Sequence, residues 1–164
     1  MYKTFAAIFS LFGLAATAVA QEGVFQTKSL TPETAFVAAR AAMESCRKQG
    51  YQVAVAVVDR AGLVQVLLRD RFAGAHTLDV AANKAWTAAS FRTSTTVLAD
   101  ETQPGRPMSG LRSLPRFLAA GGGLVIEGGG TVFGAIGVSG APGGDADDAC
   151  AQAGIKAISD AIEF

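Results

Sequence analysis

The chain has little of what marks several common classes of protein. Its 14 Lys and Arg residues are balanced by 14 Asp and Glu residues, so no basic excess exists to attract nucleic acid or an anionic membrane surface. It has one His and two Cys, which are too few soft ligands for a structural zinc site. Motifs for a phosphate-binding loop, a zinc-protease helix or a calcium loop are absent from the sequence. We therefore expect no nucleic-acid partner.

Long apolar runs are also scarce, and the main one lies at the start of the chain. Lys3 gives a basic beginning, residues 5–19 are mostly apolar, and Ala18-Val19-Ala20 before Gln21 forms a small-x-small cleavage pattern. A membrane anchor is the alternative, but the run contains Ser10 and Gly13 and falls short of the roughly 20 residues that a span requires. Residues 1–20 are predicted to be a secretory signal peptide, which implies a periplasmic or secreted protein without stable membrane insertion after cleavage.

Export changes how Cys46 and Cys150 are interpreted, because an oxidising compartment allows a disulfide. The two residues lie on the first and last predicted helices. A bridge would close a loop of about 100 residues, which is worth ~4–5 kcal/mol in the chain-entropy model. We expect this bridge, and the alternative is two buried, unpaired thiols.

A length of 164 residues, half of them hydrophobic, suits one compact domain. We expect a flexible lead at 21–29 and a single domain at 30–164. Four helices are predicted: from Thr31-Pro32-Glu33 to Gly50, over 77–91, around 95–100 and over 145–162. Two β-hairpins are also predicted. The first pairs a strand at 52–58 with one at 63–68, and the second pairs 124–127 with 131–138. Because hairpins replace parallel crossovers, this α-β-β-α-β-β-α order predicts an α+β fold with an antiparallel sheet flanked by helices.

Helical periodicity predicts which side chains enter the core. The core-facing positions predicted for the first helix are Phe36, Ala39, Met43 and Cys46, and those for the second are Leu78, Ala82, Ala85, Trp86 and Ala89. Val80, Asn83, Lys84 and Thr87 are predicted to lie on the opposite face of the second helix. A lysine in that position is usually solvated.

Glycines recur at Gly134, Gly137 and Gly140, but two of them fall inside a predicted strand, which does not fit a dinucleotide-binding loop. We expect them to let a helix or a neighbouring subunit approach closely. Asp59 is predicted to form a turn. Asp145, Asp147 and Asp148 are predicted to lie at a helix N-terminus, and the alternative is contact with a cation or with an arginine of another subunit.

His76 is the only imidazole in the chain, and Arg69, Arg71 and Phe72 precede it closely. A histidine ligand, cations for carboxylates and an aromatic wall are what a haem site requires. The alternative is that His76 is solvated polar surface near a helix start. The sequence leaves both interpretations open.

Four blocks together resemble the GlcG/HbpS-like family, which is related to the PduO C-terminal domain. They are VVDRAG at 57–62, RDRFAGAH at 69–76, NKAWTA at 83–88 and GAIGVSGA at 134–141. The resemblance implies profilin-like α/β/α layers and a homo-oligomer, often an octamer. Some members bind haem, and the related PduO C-terminal domain is linked to haem or corrinoid handling. Arg69, Lys84, Thr87 and residues 137–140 match recurrent family positions, whereas His76 as a ligand is our own inference.

We therefore expect an exported haem- or tetrapyrrole-binding protein that serves as a binding, sensing or accessory module, with a corrinoid as the alternative ligand. Its predicted site has His76 at the iron, with further contacts from Arg69, Arg71, Phe72, Lys84 and Thr87 and an apolar slot that includes Phe91 or Met108. No activated nucleophile is evident, so binding is favoured over catalysis. One alternative is an enzyme or enzyme accessory that acts on a small hydroxy acid, in which Lys84, Thr87 and Ser139 bind the acid and His76 transfers a proton. The other alternative is an assembly module that binds no ligand.

Overall fold

The computed structural model describes residues 23–163, so the predicted signal peptide at 1–20 lies outside the described residues. Residues 23–31 contain no helix or strand. The helices are α1 (Pro32–Lys48), α2 (His76–Phe91), α3 (Thr95–Glu101), α4 (Gly144–Lys156) and α5 (Ser159–Ile162). The strands are β1 (Ala54–Asp59), β2 (Val64–Arg69), β3 (Gly123–Gly128) and β4 (Thr131–Ser139), and a 3₁₀ turn covers Ser109–Ser113.

The four strands form one antiparallel sheet in the order β2-β1-β4-β3. Two hairpins, β1–β2 and β3–β4, meet along their inner strands, where Ala54 pairs with Ser139 and Asp59 pairs with Gly134. The turn of the first hairpin is built as predicted, because Asp59 Oδ1 accepts from the backbone N–H of Ala61 at 2.8 Å and of Leu63 at 2.9 Å. The predicted α+β class and antiparallel sheet are confirmed.

Helices cover both faces of the sheet. Val55, Val57 and Ile136 face the layer formed by α1 and α4, whereas Ala54, Ala56 and Ala135 face α2. Full burial of a Val or Ile side chain contributes roughly 1.5–3 kcal/mol, so most of the hydrophobic stabilisation lies on the α1 and α4 side. The α2 side is instead lined by small residues, which lets that helix approach closely.

Gly137 shows how close this approach is. A Cβ atom at this position would lie 2.1 Å from the carbonyl oxygen of Ala81 in α2, so the strand needs glycine at this point. The prediction that the glycines of this strand admit a neighbouring element is confirmed for a helix of the same chain.

The predicted core face of α2 is wrong in part. Its buried residues include Ala81, Lys84, Thr87 and Ala88, and Trp86 is only partly buried. The reason is the alanine stripe, because alanines pack on the glycine-containing strand more closely than an indole ring could. In α1, Phe36 is 45% exposed, although the predicted neighbours Ala39, Met43 and Cys46 are buried.

The last predicted helix is interrupted. The segment from 145 to 162 divides into α4 and α5, and Ala157 and Ile158 lie between them. Ile158 is buried at this break, which turns the chain back onto the core.

Cys46 and Cys150 form the predicted disulfide, which joins α1 to α4 across a sequence separation of 104 residues. Both residues are fully buried in the core between these helices. Among the described residues, no helix has both the length and the apolar character needed to cross a bilayer.

Candidate functional site

An open cleft of about 560 Å³ lies where three segments of the chain meet. Residues 50–52 follow α1, residues between 72 and 77 lead into α2, and residues between 139 and 147 lead from β4 into α4. The cleft is thus framed by one helix end and two helix beginnings. Its volume falls within the roughly 300–1,000 Å³ that small-molecule sites occupy.

His76 is exposed at this cleft as the first residue of α2. Its ring lies against Gly74, where a Cβ atom would be only 2.7 Å from His76 Cε1. No hydrogen bond joins its ring nitrogens to any other residue within 23–163. An imidazole with free nitrogens can ligate a metal.

Phe72 presents an aromatic surface to the same cleft. Its side chain is 79% exposed. Tyr51, Ala141 and Pro142 add further apolar lining. A planar apolar ligand would find contact area in this cleft that the isolated protein leaves in water.

The loop that carries Phe72 is held by a bidentate ion pair. Arg47 of α1 donates from Nε to Asp70 Oδ2 at 2.6 Å and from Nη2 to Asp70 Oδ1 at 2.9 Å. The Arg47 guanidinium holds the pKa of the buried Asp70 carboxyl below its usual range, and the backbone N–H of Arg71 adds to the effect. The Asp70 carboxylate therefore fixes the start of this loop against α1.

Two further arginines lie on this loop or directly before it. Arg69 donates from Nη1 to the carbonyl oxygen of Ala73 at 2.5 Å, so its other N–H groups remain available. Arg71 is exposed, immediately before Phe72. The structure thus places His76, Phe72, Arg69 and Arg71 on one continuous stretch, of which His76 and Phe72 line the cleft.

The opposite wall is held by a buried ion pair. Lys84 Nζ donates to Asp147 Oδ2 at 2.8 Å and to the carbonyl oxygen of Val138 at 2.9 Å, and Asp147 Oδ1 accepts from the backbone N–H of Ala141 at 3.1 Å. Burial raises the pKa of the Asp147 carboxyl, and the Lys84 ammonium opposes that shift. Asp147 lines the cleft, whereas Lys84 lies behind it. Asp147 lies in the first turn of α4, as predicted, and it also contacts a cation of the same chain, Lys84.

Three other residues predicted to contact the ligand lie outside the cleft lining. Thr87 is buried, its hydroxyl accepts from the backbone N–H of Leu118 at 3.0 Å, and it thereby anchors the segment before β3. The ring of Phe91 packs edge-on against that of Phe117 at 5.2 Å. Met108 lies beside the 3₁₀ turn and does not line the cleft.

Sequence reasoning missed Tyr51 and Gln52 as lining residues. Both follow Gly50 at the end of α1, and nothing in their local pattern distinguishes them from an ordinary linker. Gln52 Oε1 is buried and has no hydrogen-bond partner among the described residues, which makes it an unsatisfied acceptor at the cleft.

The donor set is too sparse for a bare metal ion. Within residues 23–163 no group of three or more His, Cys, Asp or Glu side chains is placed to hold one.

These features define a class of protein: a three-layer α+β domain with an open cleft of small-molecule size that presents an exposed imidazole beside an exposed aromatic ring. The chain belongs to the family described as "Haem degrading protein HbpS-like", whose model matches residues 30–156.

Solved structures of relatives share this fold. A double mutant of HbpS from Streptomyces reticuli is 40% identical, with a TM-score of 0.78, covering 88% of this chain and 98% of that one. The PduOC:heme complex is 32% identical, with a TM-score of 0.75, covering 79% of this chain and 95% of that one.

Among curated proteins, the corrinoid adenosyltransferase PduO of Salmonella typhimurium is 34% identical over 122 residues, which is 73% of this chain and 36% of PduO. An uncharacterized 15.0 kDa protein of Citrobacter freundii is 38% identical over 90 residues, which is 54% of this chain and 63% of that protein. The chain thus spans about a third of one curated relative and under two thirds of the other.

Proposed function

We propose that this protein binds haem or a related tetrapyrrole in the cleft, with His76 as the iron ligand. The observation that carries the proposal is the exposed imidazole of His76, which has no hydrogen-bond partner among the described residues and shares the cleft with the exposed ring of Phe72. Membership of the HbpS-like family and the likeness to a haem complex support it.

The donor set fits haem better than it fits a free ion. A porphyrin brings its own nitrogen ligands to the iron, so a single protein ligand such as His76 would suffice to hold it. Phe72 and Tyr51 offer apolar contact to the macrocycle. Haem in this cleft would supply a redox-active iron centre, which His76 would hold and Phe72 and Tyr51 would contact.

Arginines suit the propionate groups of haem, because a guanidinium pairs with a carboxylate in a bidentate manner. We assign this role to the exposed Arg71 and to the remaining N–H groups of Arg69. Lys84 is less suited, since its ammonium is already bonded to Asp147 and Val138. Thr87 is likewise occupied by the backbone of Leu118.

A haemin titration of the protein from residue 21 onward tests the proposal. We expect a saturable, shifted Soret band with one haem per chain, and we expect His76→Ala to remove the shift and weaken binding. Asp79→Ala is the matched control, because Asp79 is exposed in the same turn of α2 and does not line the cleft. An unchanged Soret band and affinity in His76→Ala would contradict the ligand assignment.

Parallel measurements distinguish the alternatives. Titration with a cobalamin tests the corrinoid alternative, to which the name of PduO points. The family description points to haem degradation, so the Soret band is also followed under air with ascorbate as reductant. Decay faster than that of free haemin would indicate turnover. A saturable rise in the melting temperature with glycolate, together with no response to haemin, would favour a metabolite-binding role.

We further propose that the protein is exported and forms a homo-oligomer. The signal-peptide pattern at 1–20 and the disulfide between Cys46 and Cys150 support an oxidising, periplasmic or secreted location. Exposed apolar side chains on β2 and α1, such as Leu67 and Val37 at 40% and 48%, support self-association. Mass analysis of fractionated cells tests the location of the protein. Light scattering of the purified protein tests its oligomeric state.

A further inference from the structure

The disulfide lies next to the contacts that hold the walls of the cleft. Cys46 directly precedes Arg47, whose guanidinium binds Asp70 at the start of the loop that carries Phe72. The carbonyl oxygen of Cys46 also accepts from the backbone N–H of Tyr51 at 3.0 Å. The first half-cystine thus anchors the segment after α1 directly, and it anchors the Phe72 loop through its neighbour Arg47.

The second half-cystine has an equivalent position on the other wall. Cys150 follows Asp147 by three residues on α4, so the two lie within one turn of the same helix. Asp147 accepts from Ala141 and pairs with Lys84, and these contacts hold the segment from Ser139 to Gly144. The bond between Cys46 and Cys150 therefore connects the supports of both walls.

We propose that the Cys46–Cys150 disulfide is a positioning bond for the ligand site, which fixes the spacing of the two walls of the cleft. With the bridge intact, α1 and α4 cannot slide relative to each other, so the Phe72 loop and the Ser139–Gly144 segment keep one separation. Without it, the fold retains its sheet and both helix layers, but the walls move independently. A ligand that contacts both walls then has to order them on binding, which lowers its affinity.

This inference rests on the proposed function for its main readout, the affinity for haemin. The test uses Cys46→Ala/Cys150→Ala, because alanine leaves no free thiol that could itself bind the iron. We expect the haemin dissociation constant to rise roughly tenfold in the folded double variant, because the two walls must then be ordered on binding. An unchanged constant in the folded double variant would overturn the proposal.

A second pair of variants keeps the test decisive if the double variant fails to fold. Arg47→Met leaves the bridge intact but cuts the path from Cys46 to Asp70, so it also weakens haemin binding. Arg40→Met is its control, because Arg40 lies on the same helix and, within residues 23–163, pairs only with the exposed side chain of Glu44. Equal haemin affinity in Arg47→Met and Arg40→Met would overturn the proposal.

Amide hydrogen exchange gives a readout that needs no ligand. Removal of the bridge is expected to speed exchange at Ala141 and Ala73 by a larger factor than exchange in the inner strands β1 and β4, which rises only with the loss of global stability. A uniform increase across the sheet would mean that the bridge acts only on global stability. If the native protein binds no haemin, the proposed function fails, yet this exchange pattern still decides whether the disulfide positions the walls.

Discussion

Lys84 Nζ lies 2.8 Å from Asp147 Oδ2 in an ion pair whose side chains are each only 5% exposed. The two residues are 63 positions apart and belong to helices on opposite faces of the sheet. The pair therefore ties the two helix layers together near the end of β4, where Val138 supplies the third partner. A buried pair of this kind is costly to break, since each charge alone would have lost its water.

The first prediction concerns the separation of these two charges. Asp147→Leu leaves the Lys84 ammonium buried without its partner, so we expect the free energy of unfolding to fall by about 3–5 kcal/mol. Adding Lys84→Met removes the stranded charge, and the double variant should regain a large part of that loss. Urea unfolding of both variants measures the effect. A double variant no more stable than Asp147→Leu would show that the pair is not coupled.

The second prediction concerns Asp70, which is 1% exposed and bound by Arg47. Arg47→Met is expected to lower the free energy of unfolding by about 1–3 kcal/mol, because it leaves a buried acceptor without its main partner. Arg40→Met is the matched control and should leave the free energy of unfolding nearly unchanged, because the Arg40–Glu44 pair is exposed.

The loss in Arg47→Met should also depend on pH. Since Arg47 lowers the pKa of the folded Asp70, the unfolded state binds the proton more tightly. The stabilisation is therefore present above the ordinary aspartate pKa of about 4 and is lost as the pH falls through the lower folded value. Unfolding curves from pH 7 to pH 2 should show that the free energies of unfolding of the native protein and of Arg47→Met converge in acid. A constant difference over that range would show that the loss does not arise from the ionised Asp70 carboxylate.

Much of the fold follows from local signals in the sequence. Thr31 and Pro32 define the start of α1, since the Thr31 hydroxyl accepts from the backbone N–H of Thr34 at 3.2 Å. Asp59 shapes the first hairpin turn, and Gly50 ends α1 with a φ of 83°. Each of these depends on residues within a few positions, which is why the sequence sufficed to predict them.

The candidate site was predictable only in part. His76 and Phe72 could be proposed because they are close in sequence and chemically distinctive. The burial of Lys84 could not, because it depends on a carboxylate that arrives 63 residues later. The orientation of α2 was likewise decided by Gly137 on a distant strand, not by the periodicity of the helix itself.

The third prediction concerns the bridge between Cys46 and Cys150. Its removal in Cys46→Ala/Cys150→Ala should lower the free energy of unfolding by ~4–5 kcal/mol in the chain-entropy model, because the closed loop is about 100 residues long. Urea unfolding with and without a reductant measures this loss in the native protein. The double variant, which has no bridge to reduce, is the control and should not respond to the reductant. A native protein insensitive to reductant, with two free thiols by mass analysis, would contradict the bridge.

The fourth prediction concerns Gly137, the closest contact between the sheet and α2. A Cβ atom at this position would lie 2.1 Å from the carbonyl oxygen of Ala81 and 2.7 Å from the amide nitrogen of Ala85, and neither backbone group can move without the helix. We expect Gly137→Ala to lower the free energy of unfolding by at least about 1–3 kcal/mol, the usual range for overpacking. Gly110→Ala is the matched control, because a Cβ atom there meets nothing within 4 Å.

Since α2 begins at His76, displacement of this helix should also disturb the cleft, and haemin affinity should fall in Gly137→Ala but not in Gly110→Ala. If Gly137→Ala kept the free energy of unfolding and the haemin affinity of the native protein, α2 would have to leave room for a methyl group against β4.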